Sequence, residues 1–167
     1  VEARAAEQRA TIQALLPRRS RISRKVAGAR TDEQVVAANV DTALLVSGLD
    51  GNFNLRRIER ALAMAWESGV SPVIVLNKAD LAPRLEQQIA AVETIALGVP
   101  VHVASAQTGL GMDALAATIK AGQTAVLVGS SGVGKSSLIN RLLGAERQQV
   151  GAVREDDSRG RHTTTRR

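Results

Sequence analysis

The segment that most constrains the fold is a short apolar run followed by a glycine-rich loop and a helical pattern. Residues 125–128 are Ala-Val-Leu-Val, residues 129–136 read G-S-S-G-V-G-K-S, and residues 135–143 carry apolar side chains at helical spacing. This is the G-x-x-x-x-G-K-S pattern in the strand–loop–helix setting that it requires. It predicts a loop whose backbone N–H groups surround a phosphate, within an α/β fold.

Each part of this loop has a separate predicted task. The glycines let the backbone wrap around phosphate oxygens, the Lys135 ammonium neutralises the charge of the terminal phosphates, and the Ser136 hydroxyl binds Mg²⁺. We therefore predict Lys135 as a catalytic residue and Ser136 as a metal ligand. The predicted nucleotide-binding residues of this segment are Gly129, Ser130, Ser131, Gly132, Val133, Gly134, Lys135, Ser136 and Ser137. A glycine-rich turn that only joins a strand to a helix is the alternative interpretation.

A second polar segment indicates which base the nucleotide carries. The apolar run 73–76 leads into Asn77-Lys-Ala-Asp80, an N-K-x-D sequence. The Asp80 carboxylate can accept hydrogen bonds from N1–H and the N2 amino group of guanine, whereas adenine offers no such pair of donors. The aliphatic stem of Lys78 can lie over the base, and Asn77 can bridge the base edge and the phosphate loop. Together with the phosphate loop, this segment predicts guanine.

A third segment, Ser105-Ala106, follows an apolar run over residues 99–104. A backbone N–H at this place can donate to guanine O6, although the dipeptide has almost no specificity by itself. Its value comes from its position, one strand–helix unit after residues 77–80. Ser105 and Ala106 complete the predicted base site.

The chain alternates apolar runs and helical patterns from residue 40 onward. We predict strands over residues 41–47, 72–76, 99–104 and 125–128, and helices after Asn54 and over residues 84–97, 112–120 and 135–143. Short connections between them predict an α/β fold with a mostly parallel, doubly wound sheet and helices on both faces. Ligands of such a sheet bind beyond the carboxyl ends of its strands, which is where the three polar segments lie.

The order of these segments is unusual for a GTPase. The phosphate loop normally comes first along the chain and the base-reading segments last, whereas here residues 77–80 and 105–106 precede residues 129–136. The same sheet can form if the original ends are joined and a new break is opened, because the termini of compact domains often lie close together. The order therefore predicts a P-loop NTPase fold of the circularly permuted GTPase class.

Composition excludes several functional classes. The chain of 167 residues has no Cys, no Tyr, one Phe and one Trp, so it offers neither a thiolate zinc site nor an aromatic platform for single-stranded nucleic acid. No apolar run reaches the roughly 18 residues that cross a bilayer. The formal net charge of +6 favours anionic partners. We expect a cytoplasmic monomer that binds no membrane.

The first 30 residues differ from the rest of the chain. Residues 3–16 predict a short helix that Pro17 ends, and six basic side chains follow within residues 18–30. This basic segment is either a solvated linker or an arm that contacts phosphate groups.

The chain resembles the RsgA family of circularly permuted GTPases, which depend on the small ribosomal subunit. The likeness spans about residues 20–167 and is carried by residues 24–28, 33–41, 50–60, 73–81, 129–140 and 160–165. It implies hydrolysis of GTP to GDP and phosphate with Mg²⁺, stimulated by the ribosome, late in maturation of the small (30S) subunit. It also implies that subunit and its rRNA as partners.

The resemblance further implies how the chain is divided. Residues 1–30 would be the tail of an N-terminal OB-fold domain and a basic linker, and residues 31–167 a GTPase domain that stops before the D-x-P-G motif of the second switch. We expect a fragment whose own activity is in question without that motif, with zinc confined to the family's absent C-terminal domain. Asp157-Ser-Arg-Gly160 matches D-x-x-G, but it lies in a polar loop and is rejected as that motif.

Residues 147–167 would then form the first switch segment. The resemblance implies Thr164 as a catalytic residue and Mg²⁺ ligand, with Thr163 and Thr165 as alternatives. His162 is also a catalytic candidate that positions water or a phosphate, and its alternative is a solvated loop histidine.

Two other functions remain open. One is an ATP-using P-loop enzyme, for which the N-K-x-D segment would be a coincidence. The other is an rRNA-binding assembly module in which the nucleotide is only a structural ligand, with Arg56, Arg57, Arg60 and the arginines of residues 18–30 as candidate rRNA contacts.

No side chain resembles the Gln that orients water in many GTPases, so we expect slow turnover without ribosomes. His102, on an apolar strand, is expected in the core or at a sheet edge.

Overall fold

The described part of the chain comprises residues 2–4, 9–14, 17–25, 33–145 and 148 of a computed structural model. Its strands are β1 Glu2–Arg4, β2 Arg9–Thr11, β3 Arg21–Lys25, β4 Glu33–Ala38, β5 Thr42–Gly48, β6 Ser71–Asn77, β7 Val101–Val103 and β8 Ala125–Val128. Its helices are α1 Leu55–Glu67, α2 Leu85–Ala96, α3 Met112–Thr118 and α4 Lys135–Leu143, with a short 3-10 turn at Ala79–Leu81. Every element predicted after residue 40 is present, and its ends lie within two residues of the prediction.

The central sheet has four parallel strands in the order β7-β6-β5-β8. Leu45 of β5 lies opposite both Ile74 of β6 and Val128 of β8, which sets the register of the three strands. All seven residues of β5 are buried, as expected for a parallel strand covered on both faces. The predicted parallel sheet is confirmed.

Helices cover both faces of this sheet. One face packs against α1 and α2 in a cluster that includes Leu45, Ile58, Leu62, Ile74 and Val92. The other face packs against α3 and α4 in a second cluster that includes Leu44, Val75, Leu115 and Leu138. Neighbouring residues of β5 enter different clusters because successive side chains of a strand point to opposite faces. The sheet is therefore doubly wound, as predicted.

Helix α1 begins where the sequence predicts. The Asn54 side chain accepts a hydrogen bond from the Arg57 N–H at 3.1 Å and caps the first turn. Trp66 has helical spacing relative to Ile58 and Leu62, but it is 48% exposed while those two residues are buried. Trp66 lies about 80° around the helix from Ile58, at the margin of the apolar stripe.

The predicted helix over residues 3–16 is wrong. The described residues there contain the antiparallel pair β1–β2 and no helix. The segment is rich in residues with high helix propensity, but propensity alone is a weak determinant.

A second antiparallel pair, β3–β4, forms a separate two-stranded sheet that precedes β5 along the chain. Ile22 lies in the core cluster, and the Ser20 hydroxyl donates to the Val40 carbonyl at 2.6 Å. Because β3 and β4 come from opposite sides of residues 30 and 31, their pairing crosses the predicted domain boundary. The division into domains stays a prediction.

No helix within the described ranges is long and apolar enough to cross a membrane.

Candidate nucleotide-binding site

The three predicted segments all lie at one edge of the central sheet. Residues 77–80 begin at the end of β6, Ser105-Ala106 follow β7 after one residue, and residues 129–136 follow β8 directly. Carboxyl ends of parallel strands share an edge, and this is where ligands of doubly wound sheets bind. Asn77 makes direct contacts with both of the other segments.

The phosphate loop ends where α4 begins. In α4, the Leu138 N–H donates to the Gly134 carbonyl at 2.9 Å. Within the described chain, it is the first N–H of this helix that has a main-chain acceptor. The N–H groups of Lys135, Ser136 and Ser137 precede it in the first turn, where helices leave donors for an external partner. A helix N-terminus following such a loop suits a phosphate group.

Lys135 lies across the first half of the loop. Its Nζ donates to the Gly129 carbonyl at 2.9 Å and to the Ser130 carbonyl at 2.7 Å. Burial lowers the pKa of the Lys135 ammonium from its ordinary value. Carbonyl dipoles stabilise this charge less than a phosphate anion would, so the arrangement fits the predicted neutralisation of phosphate.

Asn77 joins the phosphate loop to the base-reading segments. Its side chain is buried, and its Nδ2 donates to the Val133 carbonyl at 2.8 Å. Its Oδ1 accepts from the Ala106 N–H at 3.1 Å. The contact with the phosphate loop is present. Of the two backbone N–H groups that could donate to guanine O6, that of Ala106 binds Asn77 here and that of Ser105 binds the Leu110 carbonyl at 2.9 Å.

Gly134 must be glycine at this junction. Its φ is +93°, and a Cβ at this position would collide with the Asn77 Nδ2. An L side chain is strained in this conformation even without the collision. The glycine of G-K-S is therefore required both by the positive φ of the turn and by the close approach of the Asn77 side chain.

Asp80 is exposed and is oriented by a buried hydroxyl. The Ser105 Oγ donates to the Asp80 Oδ1 at 2.5 Å, and it accepts from the Thr108 N–H at 3.1 Å. A carboxylate with one such contact keeps acceptor capacity for the two donors of guanine. Sequence reasoning valued Ser105 only for its backbone and missed the role of its hydroxyl.

Lys78 makes an ion pair that the sequence analysis did not predict. Its φ is +65°, and its Nζ lies 2.6 Å from the Asp50 Oδ2. Both side chains are 17% exposed. Asp50 follows the end of β5 within two residues, at the same edge of the sheet as the predicted segments. A polar residue after a buried strand was the signal that could have found it.

Asn52 and Arg57 contact the phosphate loop from the loop after β5 and the first turn of α1. The Arg57 Nη1 donates to the Ser130 Oγ at 3.0 Å and to the Asn52 Oδ1 at 2.7 Å. The Asn52 Nδ2 donates to the Ser130 Oγ at 3.3 Å. Arg57 is one of the candidate rRNA contacts, and the structure places its guanidinium against the phosphate loop, while Arg56 and Arg60 are exposed.

Residues beyond the phosphate loop are only partly described. Thr163, Thr164, Thr165 and His162 lie outside the described residues, as does the rejected Asp157 segment. His102 lies on the edge strand β7, as expected, and its Nε2 is 3.1 Å from the Thr118 Oγ1.

The metal-binding capacity of the described residues is limited. They include no group of three or more His, Asp or Glu side chains that could hold a metal ion. Mg²⁺ in nucleotide sites uses few protein ligands together with phosphate oxygens and water. The Ser136 hydroxyl, in the first turn of α4 beside the free N–H groups, fits that kind of site.

Comparison with known proteins agrees with this geometry. A model of the RsgA GTPase family matches residues 15–167. A small ribosomal subunit biogenesis GTPase RsgA 2 of Lactiplantibacillus plantarum is 47% identical over 97% of this chain and 46% of its own length. An RsgA of Opitutus terrae is 52% identical over 93% of this chain and 42% of its own length. The chain thus spans less than half the length of these relatives.

Two solved structures are similar to the described fold. YjeQ from Thermotoga maritima has a TM-score of 0.65 at 30% identity, over 78% of this chain and 44% of its own. YloQ, described as a circularly permuted GTPase, has a TM-score of 0.50 at 19% identity, over 77% of this chain and 50% of its own. The second likeness concerns the fold alone. The predicted resemblance and the permuted order of the fold are confirmed.

Proposed function

Because this chain belongs to the RsgA GTPase family, we propose that it binds GTP and GDP at the carboxyl edge of its sheet and hydrolyses GTP to GDP and phosphate. The observation that carries this proposal is the position of Asn77. One buried side chain binds the Val133 carbonyl of the phosphate loop and the Ala106 N–H of the last base-reading segment. The residues proposed for the phosphates and those proposed for guanine are therefore joined through one side chain, which supports a single nucleotide bound across both.

Catalysis in this site works by positioning and by charge neutralisation. The free N–H groups at the start of α4 and the Lys135 ammonium would hold the phosphates, and Ser136 would hold Mg²⁺, which supplies further neutralising charge. The Asp80 carboxylate, oriented by Ser105, would select guanine. Thr164 and His162, outside the described residues, remain the proposed partners of the Mg²⁺ and of the attacking water.

We expect slow turnover by the chain alone. The sequence offers no side chain like the Gln that orients water in many GTPases, and Gln88 of α2 uses its Nε2 to bind the Leu49 carbonyl at 3.2 Å. A site without a group that orients water depends on a partner to complete it. We propose that the small ribosomal subunit is that partner, which is supported by the names of the relatives.

The same proposal includes contact with rRNA in the cytoplasm by a monomeric protein. Arg56 and Arg60 are exposed on α1, and Arg18, Arg19 and Arg21 are exposed before and within β3. Arginines that neutralise phosphates make binding salt-dependent. Little change in ribosome binding between low and physiological salt would contradict this part of the proposal. Zinc, which the resemblance assigns to a C-terminal domain, has no thiolate ligand in this chain.

The decisive experiment is a change of base specificity. Thermal shifts with GDP and ADP should differ, with stabilisation by GDP alone, since adenine lacks the donor pair that Asp80 accepts. Asp80→Asn should weaken binding of guanine nucleotides and favour xanthine nucleotides, because the amide can donate to the xanthine O2. If hydrolysis follows the base preference of the variant, the nucleotide is a substrate and not a structural ligand. Equal shifts with GDP and ADP would favour an ATP-using enzyme instead.

A further inference from the structure

A chain of side-chain contacts connects the base-reading segment to the phosphate loop through residues 49–54, which we call the β5–α1 loop. The Asp50 carboxylate accepts from the Lys78 Nζ at 2.6 Å through Oδ2 and from the Asn52 N–H at 3.1 Å through Oδ1. Both oxygens of this largely shielded carboxylate are therefore occupied. Charge-assisted hydrogen bonds in such surroundings are stronger than exposed ones.

The other end of this chain of contacts is the Ser130 hydroxyl. It accepts from the Arg57 Nη1 at 3.0 Å and from the Asn52 Nδ2 at 3.3 Å. Asn52 belongs to both ends, since its N–H binds Asp50 and its Oδ1 accepts from Arg57 at 2.7 Å. A displacement of the β5–α1 loop would therefore disturb the base-reading segment and the phosphate loop together.

Two helices hold the β5–α1 loop in place. The Asn54 side chain caps α1, whose next turn is anchored by the buried Ile58. On the opposite side, the Gln88 Nε2 of α2 binds the Leu49 carbonyl at 3.2 Å. Arg57 thus projects from a fixed helix turn, which is a requirement for a residue that positions another group.

The contacts of Ser130 explain why such support is needed. Its carbonyl accepts from the Lys135 Nζ at 2.7 Å. Under the proposed function, Lys135 would turn from the carbonyls of Gly129 and Ser130 toward the phosphates. Arg57 and Asn52 bind the Ser130 side chain and not its carbonyl, so their contacts can persist when the lysine moves.

We propose that Arg57 and Asn52 are positioning residues that hold the phosphate loop at Ser130, and that the Asp50–Lys78 pair couples this support to the base-reading segment. The ligand class is a guanosine di- or triphosphate, whose base contacts and phosphate contacts then reinforce each other. This inference rests on the proposed function. It assigns to Arg57 a task in the nucleotide site in place of a contact with rRNA.

The first test measures GDP affinity and the melting temperature of the nucleotide-free protein in the full 167-residue chain. Arg57→Ala should weaken GDP binding by about tenfold, the effect of losing a hydrogen bond from a charged group, with little change in the melting temperature. Arg57→Lys should restore part of the affinity because it keeps a charged donor. Arg84→Ala, which removes an exposed arginine at the start of α2, should change neither quantity and serves as the matched control.

The second test measures the coupling. If the base-reading segment supports the phosphate loop through Asp50, the losses of GDP affinity in Asp50→Asn and Arg57→Ala should not multiply in the double variant. Multiplying losses would overturn the coupling, and unchanged GDP affinity in Arg57→Ala would overturn the positioning role. If Arg57→Ala lowered both the melting temperature and the GDP affinity, and Arg57→Lys restored neither, Arg57 would have a merely structural role.

These outcomes are distinct from failure of the proposed function. Absence of GDP binding by the unsubstituted chain would overturn both proposals. GDP binding by that chain with full affinity retained in Arg57→Ala would leave the proposed function standing and remove only this inference.

Discussion

Asn77 is the residue on which the geometry of the site most depends. It is buried at the end of β6, and both ends of its amide are used, one by Val133 and one by Ala106. No other side chain type offers a donor and an acceptor in this fixed planar arrangement except the longer Gln. Its chemistry therefore explains why the first position of N-K-x-D is an asparagine.

Replacing Asn77 tests this role. Asn77→Ala leaves the Val133 carbonyl and the Ala106 N–H without their partner, at a cost of about 1–3 kcal/mol in the free energy of unfolding, and GDP affinity should fall with it. Urea unfolding and GDP titration measure the two effects.

Ser20→Ala is the control for this variant, because it removes a buried hydrogen bond to Val40 at the opposite end of the sheet. It should lower stability by a similar amount and leave GDP affinity unchanged. A parallel loss of GDP affinity in both variants would contradict a local role for Asn77.

Gly134 gives a second prediction at this scale. Gly134→Ala combines a left-handed backbone, which costs an L residue about 1–2 kcal/mol, with a collision against Asn77. Gly122→Ala has a similar φ of +80° and no atom within 4 Å of the new Cβ, so it reports the backbone cost alone. Gly134→Ala should therefore lower the free energy of unfolding more than Gly122→Ala does. Equal losses would show that the close approach of Asn77 adds no cost.

Helix α1 shows how a local pattern defines an element and where it stops being informative. The N-cap Asn54 and the spacing of Ile58 and Leu62 predict its start and its buried face. The same spacing places Trp66 near that face, but 48% of its side chain is exposed. Periodicity gives the direction of a side chain, whereas the extent of the partner surface decides whether the side chain is covered.

Two substitutions on α1 measure that difference. Leu62→Ala, at a residue with 2% exposure, should cost about 2–5 kcal/mol of unfolding free energy. Trp66→Ala should cost about 1 kcal/mol or less, as expected for a position near the surface. Chemical unfolding of both variants is the measurement, and a larger cost for Trp66→Ala would show that the indole is covered in solution.

The amino-terminal strands show the opposite limit. Residues 3–16 have helix propensity, yet the described part of this segment pairs as β1 with β2. Each short strand is stabilised by pairing with another strand, and the residues of one strand do not identify its partner. Helix propensity determines the local structure only where no tertiary contact competes with it, and here the pairing of β1 with β2 does.

At the scale of the whole molecule, the permuted order makes distant parts of the chain depend on each other. Asn77 and Val133 are 56 residues apart, and Arg57 and Ser130 are 73 apart. Both halves of the site can form only after β5, β6 and β8 have paired, because those strands carry the loops. Nucleotide binding is therefore expected to stabilise the sheet as a unit.

Hydrogen exchange tests this expectation. GDP at about 100 times its dissociation constant should stabilise the folded chain by about 2.7 kcal/mol, and amides of residues 77–80 and 129–136 should gain protection together. The Ser20–Val40 end of the molecule should gain only the global part. Protection limited to residues 129–136 would mean that the phosphate loop acts without the base-reading segments.

Local sequence patterns predicted the chemistry of the site and specified the class of the fold. A phosphate loop, an N-K-x-D segment and alternating apolar runs are local patterns, and the strands and helices after residue 40 follow from them. Tertiary packing, by contrast, sets which side chains meet: Lys78 with Asp50, Arg57 with Ser130, and Asn77 with Val133. These pairs lie 28 to 73 residues apart, and no local spacing encodes such contacts, since they arise from the register of paired strands and the packing of helices on them.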